Sequence, residues 1–254
     1  MNMLKSLIIA LAMYSKLPVP NIDWDEKNMR YAMCFFPVVG VIIGALVFGA
    51  GQLILRYTEC GKLFFAAVMT MIPVAVTGGI HLDGFADTID AVSSYKDREK
   101  KLEILKDPHT GAFAVIGLCA YFLITVALWS EVNLKTLSLA VWMYPISRAL
   151  SGLSVVSFRS AKSSGLLRTF QERADRKRTR IVLSIWLMSL AAGAIYIFRV
   201  QGAIIVTAAL LVFFYYYKMS FKQFGGITGD LAGYFLQICE LVMLTVVAFL
   251  GGIC

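Results

Sequence analysis

A chain of 254 residues that is 59% hydrophobic, only 16% charged and has a mean hydropathy of +0.73 is excluded from the ordinary soluble domains, where charged residues make up about 25%. Several apolar runs reach the roughly 20 residues needed to cross a bilayer, so a single all-α, polytopic membrane bundle is predicted over residues 1–254. The net charge of +8 does not imply nucleic acid as a partner: the basic residues sit in loops between apolar runs, where the positive-inside bias accounts for them, and membrane lipid head groups or a phosphorylated substrate are the partners it suggests.

Residues 3–17 are apolar at helical spacing (Leu4, Leu7, Ile8, Leu11), but Lys5 and Lys16 interrupt them. They predict an interfacial helix, stopped by Leu17-Pro18-Val19-Pro20. No small-residue cleavage site follows, so no cleaved leader is expected. Seven spans are predicted, at 31–55, 63–82, 112–129, 134–156, 181–198, 202–217 and 231–253. In the first, Gly40 and Gly44 form a G-x-x-x-G, with Gly49 following, a pattern of close helix packing in membranes. A charged helix is expected near 97–106, inside a polar loop over 83–109. The five cysteines (Cys34, Cys60, Cys119, Cys239 and Cys254) form no CxxC pair, so packing thiols are expected instead of a disulfide framework or a zinc site.

The loops at 83–109, 158–180 and 218–230, placed on one face with the N-terminus, carry five, eight, two and four Lys/Arg residues respectively. The opposite loops hold Arg56, Lys62, Lys135 and Arg199. That asymmetry predicts a cytoplasmic N-terminus and an outer C-terminus.

The stretch 77–94 concentrates the chemistry. Within ten residues it carries His81, Asp83, Asp87 and Asp90. Spacings of four and three put the three carboxylates on one helix face. Like charges so close repel each other, and a divalent cation bound by hard oxygen ligands, Mg²⁺, resolves the conflict. The bland alternative is a solvated first turn that favours acids, but Gly78-Gly79 and His81 are poor choices for a plain surface helix. Arg148 follows Pro145 inside the fourth span. An arginine at that depth is costly and usually functional, either as a phosphate partner or as a structural pair with a single acid. Gly225-Gly226-Ile227-Thr228-Gly229-Asp230 precedes the last span, where Gly226, Thr228 and Gly229 could offer backbone and hydroxyl groups to an anion. Asp230 and the intramembrane Glu240 are further candidate metal ligands beside Asp83, Asp87 and Asp90, and Lys106, Arg148 and Lys162 are candidate phosphate partners. His81 is a candidate base or phosphate contact. These parts suit phosphoryl transfer with a diphosphate-type leaving group, on an amphiphilic substrate.

Thr77-Gly-Gly-Ile-His-Leu-Asp-Gly-Phe-Ala-Asp-Thr-Ile-Asp90 resembles the signature of the cobalamin synthase family, the adenosylcobinamide-GDP ribazoletransferases. Further similarity runs in order along nearly the whole chain: Lys16-Leu-Pro-Val-Pro20, 35–44, 104–111, the turn around Arg148, the Gly165-Leu166 region, and 226–230 through Glu240. The resemblance implies an inner-membrane, Mg²⁺-dependent enzyme. It would join adenosylcobinamide-GDP to α-ribazole or α-ribazole 5′-phosphate and release GMP; a homo-oligomer is compatible with it. Ala91, His109, Leu231 and Gln237 depart from the family pattern, which often has Gly, Arg, Thr and Glu there. Two other classes share parts of the pattern. A CDP-alcohol phosphotransferase shares an Asp-Gly-x-x-Ala string, but Asp87 stands where that family carries arginine. A transporter also tolerates intramembrane acids and glycine breaks, yet no inverted repeat is visible.

Overall fold

The computed structural model describes residues 3–162 and 166–251. Gly165 and Cys254 lie outside the described residues. Thirteen α-helices make up the described chain: α1 Met3–Tyr14, α2 Glu26–Met29, α3 Phe36–Tyr57, α4 Lys62–Thr77, α5 Ile80–Ser93, α6 Arg98–Ile104, α7 Ala112–Ser130, α8 Leu134–Ala140, α9 Met143–Ser157, α10 Leu166–Arg173, α11 Arg176–Phe198, α12 Val200–Gln223 and α13 Gly229–Gly251. Six segments among them are long and apolar enough to cross a membrane, and the bent pair α4–α5 has the length and composition for a seventh if it is one broken span and not a re-entrant loop. The chain is a multi-pass, all-α membrane bundle. Among the described residues the only β-type contact is an isolated bridge between Ser160 and Ile227.

The second span is where the structure departs most from the straight helix expected over 63–82. It breaks after Thr77, and α5 leaves α4 at 97°. Gly78 and Gly79 both have positive φ, 66° and 79°, the left-handed region where a side chain is strained. The helix then resumes and carries the acids to Ser93, so residues 83–93 are helix and not loop. The fourth span is also broken. α8 ends at Ala140 and α9 begins at Met143. Pro145 cannot donate to the carbonyl four residues back, at Val141, and the ladder fails there. The polar stretch 158–180 contains a helix of its own, α10, and α11 begins at Arg176, five residues ahead of the predicted span.

Helices in lipid gain little from hiding apolar surface and rely on close packing instead. The G-x-x-x-G of α3 supplies it against α9. A Cβ built at Gly40 would stand 2.5 Å from the Tyr144 carbonyl oxygen, and one at Gly44 3.0 Å from that of Val141. Gly49 faces open space and has no such role. Gly40→Val forces a backbone shift and is expected to destabilise the bundle by about 1–3 kcal/mol, the usual cost of overpacking. Gly49→Val is expected to be near neutral. Thermal unfolding of the purified variants in detergent checks both.

The short helix expected at the start of the chain is present as α1. It buries Ile9 and Ala10, and the Lys16 amide after it donates to the Val76 carbonyl at 2.7 Å. The start of the chain is thereby tied to the bend. Of the cysteines, Cys34 and Cys239 are buried thiols as expected, whereas Cys60 and Cys119 are exposed.

The basic loops and the N-terminal segment gather at one end. Arg173 donates to the Trp24 carbonyl at 3.3 Å, Arg30 approaches Asp175 at 3.7 Å, and Lys101 donates to Gln223 at 2.7 Å. These bonds join segments that charge asymmetry alone had assigned to one face.

Candidate functional site

Helix α5 packs chiefly on α13 and α7. Gly84 permits the approach to α13: a Cβ there would lie 2.8 Å from the Asp230 backbone. This contact brings the acidic face of α5 to the start of α13. Asp83 is exposed, Asp87 and Asp90 are partly exposed, and Asp87 stands within electrostatic reach of Asp83, Asp230, Asp90 and Lys162. Lys162 Nζ bonds Asp230 Oδ2 at 3.2 Å and the Leu105 carbonyl at 3.3 Å. The acids expected from α5 and the acid expected from the glycine-rich turn thus share one neighbourhood, with one of the three expected cations.

The other predicted residues are placed differently. Lys106 is exposed and lies off the cavity described below. Asp90 accepts the Ala114 amide at 3.2 Å and so caps the start of α7. Arg148 and Glu240 pair with each other, with side chains 1% and 6% exposed. Glu240 also accepts from Ser147 at 2.8 Å, and Arg148 donates to the Tyr144 carbonyl at 3.2 Å. Of the two readings of Arg148, the pair with a single acid is the one the geometry shows. The pair lines a second cavity with Thr77, Tyr121 and Gln237, apart from the one beside Asp83 and Asp230. In the glycine-rich turn, Gly226 and Thr228 are buried, and Thr228 lines the cavity described below and donates to Asp230 Oδ2 at 3.2 Å. The Ile227 amide donates to the Arg159 carbonyl at 2.9 Å, an approach that a Cβ at Gly226, 2.6 Å from the same oxygen, would obstruct. Thr228 Oγ1 accepts the Leu231 amide at 3.1 Å and caps α13. Gly229 alone of these is exposed and open.

The five predicted metal ligands therefore do not converge. Among the described residues no three His, Cys, Asp or Glu side chains are gathered as a metal would require. The reason lies in the helix: with a rise of about 1.5 Å per residue, Asp83 and Asp90 are separated by about 10 Å along α5. Mg²⁺ does not demand such a cage. It commonly takes one or two carboxylates and completes its shell with water and substrate phosphates. Asp83, exposed, and Asp230, partly exposed, stand at the mouth of a cavity, with Asp87 within electrostatic reach of both; one or two of these carboxylates fit that pattern.

That cavity, about 280 Å³, opens beside Asp83, Lys162, Gly229 and Asp230. Its inner end is lined by the buried Met33, Phe36, His81, Val155 and Leu236 and by the partly exposed Tyr14. Sequence patterns single out only His81 among these, because apolar residues at helical spacing read as core. Tyr14 in particular sits on a helix whose only visible signal is interfacial.

A family model described as cobalamin-5-phosphate synthase matches residues 6–248. The chain belongs to the cobalamin-5-phosphate synthase family. Relatives named adenosylcobinamide-GDP ribazoletransferase match it along essentially their full length. The one from Lachnoclostridium phytofermentans is 44% identical over 253 residues, covering 100% of this chain and 97% of the relative. The one from Clostridium botulinum (strain Alaska E43 / Type E3) is 33% identical over 247 residues, with 95% and 96% covered. The one from Treponema denticola is 32% identical over 267 residues, with 98% and 99% covered. No solved structure matches the chain. In this chain the acidic face of α5, the start of α13 and Lys162 make up the candidate active site.

Proposed function

We propose that this protein is an adenosylcobinamide-GDP ribazoletransferase of cobalamin synthesis, a Mg²⁺-dependent enzyme of the inner membrane whose active site faces the cytoplasm. The observation that carries the mechanism is the meeting of Asp83 and Asp230 with Lys162 at the mouth of a cavity, with Asp87 within electrostatic reach of all three. Family membership favours this reading over the CDP-alcohol phosphotransferase and the transporter.

The reaction joins a ribose hydroxyl of α-ribazole, or of its 5′-phosphate, to the phosphorus that carries the corrinoid. The new ribose O–P bond forms as the P–O bond to GMP breaks. GMP leaves with the bridging oxygen, and the hydroxyl proton is lost to a base. One or two of Asp83, Asp87 and Asp230 would hold Mg²⁺, which when bound neutralises charge developing on the diphosphate. Lys162 is already beside Asp230 and exchanges that carboxylate for a phosphate oxygen as substrate arrives. A carboxylate of the α5 face takes the proton; the buried ring of His81 is withdrawn from the exposed mouth. Asp90 holds the start of α7, and Arg148 with Glu240 joins α9 to α13, so these three support the site without touching the diphosphate. The gathering of 19 of the 24 Lys/Arg residues in the N-terminal segment and the three loops supports the cytoplasmic assignment.

The test is GMP release by purified protein in detergent, given adenosylcobinamide-GDP and α-ribazole. Release is expected with Mg²⁺ and is expected to stop with chelator and to return on adding Mg²⁺ in excess. Turnover that survives chelation removes the metal from the reading. No GMP from an intact, folded preparation removes the activity.

A further inference from the structure

The cavity has two chemically different ends, and the phosphoryl-transfer reading uses only one. Its mouth is charged and open. Its interior is apolar, with Met33, Phe36 and Phe170 each 2% exposed, Leu236 1% and Val155 6%. One interior wall is aromatic. The Tyr14 and Phe36 ring centroids are 4.3 Å apart, and the His81 ring lies 6.0 Å from Phe36 and 6.3 Å from Tyr14, at 23° to the latter. His81 is 6% exposed, lines the cavity, and its Nε2 has no hydrogen-bond partner among the described residues. A buried ring nitrogen left without a partner is costly, and such groups are normally satisfied. A ligand that brings the missing partner into the cavity would remove that cost.

We infer that this cavity is the subsite for the acceptor nucleoside, taking its flat heteroaromatic base against the Tyr14–Phe36–His81 wall, with His81 Nε2 bonded to the bound molecule and the ribose directed toward Asp83 and Asp230. The inference rests on the transferase reading above and assigns one of its two substrates to a place. Size decides against the corrinoid. Small-ligand sites run from roughly 300 to 1,000 Å³, and 280 Å³ suits a base and ribose, whereas a corrin macrocycle with its peripheral amides is several times larger. Polarity decides against the guanosine of the donor. Guanine presents several donors and acceptors that a buried site must satisfy together, and the flat wall here is built of Tyr14, Phe36 and His81 beside the apolar Met33, Val155, Phe170 and Leu236; the other polar side chains of the lining are Ser151, Ser160, Arg168 and Thr228, with Asp83, Lys162 and Asp230 at the mouth. Aromatic and aliphatic walls suit a base poor in hydrogen-bonding groups.

Two variants of opposite sense test this in the full-length protein, each checked for monodispersity in detergent. Val155→Trp fills the interior. It is expected to weaken equilibrium binding of labelled α-ribazole at least tenfold while changing the affinity for adenosylcobinamide-GDP less than twofold. Phe36→Ala enlarges the interior. It is expected to shift the ratio of kcat/KM toward a ribazole analogue with one additional fused ring by about tenfold over wild type. Unchanged α-ribazole affinity in Val155→Trp overturns the assignment, and so does a loss confined to adenosylcobinamide-GDP, which would give the cavity to guanosine. If Val155→Trp does not fold, an unshifted base preference in Phe36→Ala overturns it alone. Wild-type GMP release, measured alongside, separates the two levels: its absence fails the transferase reading, whereas its presence with either negative result fails only the subsite.

Discussion

Asp87→Asn is expected to lower GMP release on the order of 10²–10³-fold, the loss typical of removing one preorganised electrostatic group from a centre where charge develops. Asp87 is central to the acidic neighbourhood, within electrostatic reach of Asp83, Asp90, Asp230 and Lys162. Its carboxylate is only partly exposed, so bulk water does not replace it cheaply. The amide keeps size and shape but cannot balance a divalent cation. The deficit should therefore be partly recovered at high Mg²⁺ and should appear in kcat more than in the KM for α-ribazole. Asp90→Asn supplies the contrast. Its role is to accept the Ala114 amide at the start of α7, which an asparagine oxygen also does, and its loss is expected to stay within about tenfold. Steady-state GMP release across a Mg²⁺ titration measures both. Equal losses at the two positions would refute the division of labour along α5.

The second large effect concerns the buried pair. Arg148→Met alone leaves the Glu240 carboxylate in the bundle interior, with Ser147 as its remaining partner. Breaking a buried pair from one side typically costs about 3–5 kcal/mol, whereas replacing both partners with apolar groups is often close to neutral. A thermal inactivation midpoint lower by on the order of 10 °C is expected for Arg148→Met, and substantial recovery for Arg148→Met combined with Glu240→Leu. Because the pair lines a cavity apart from the one beside Asp83 and Asp230, the double variant should also keep the wild-type Mg²⁺ dependence. A folded double variant that has lost activity would return Glu240 to the catalytic set. Heat-inactivation curves with residual GMP release provide both readings.

The acids of α5 are legible in the sequence and the partner of Glu240 is not, because the two depend on different ranges of the chain. The 4–3 spacing of Asp83, Asp87 and Asp90 is a property of the helix itself, and it held because α5 is helical through all three. The G-x-x-x-G was legible for the same reason: small residues four apart must share a face, and Gly40 and Gly44 meet α9. Arg148 and Glu240 are 92 positions apart, and nothing local says that one would neutralise the other. Both were costly enough in an apolar span to attract a functional reading, and that cost is what their pairing meets. Lys106 and Lys162 looked alike in basic loops. Only the chain's path puts Lys162 beside Asp230 and leaves Lys106 exposed.

From its residues alone, this protein was determined to be a membrane bundle of about seven apolar spans, with an acidic helix face and a family signature around it. Those features depend on composition and on periods of three to seven residues, which survive whatever the rest of the chain does. The tertiary structure decided the 97° bend at Gly78–Gly79, the pairing of Arg148 with Glu240, the partnership of Lys162 with Asp230, and the aromatic-walled cavity behind them. Each of those requires groups from distant segments to occupy one small volume, and in an apolar interior the cost of an unpaired charge or an unfilled contact selects which groups they are.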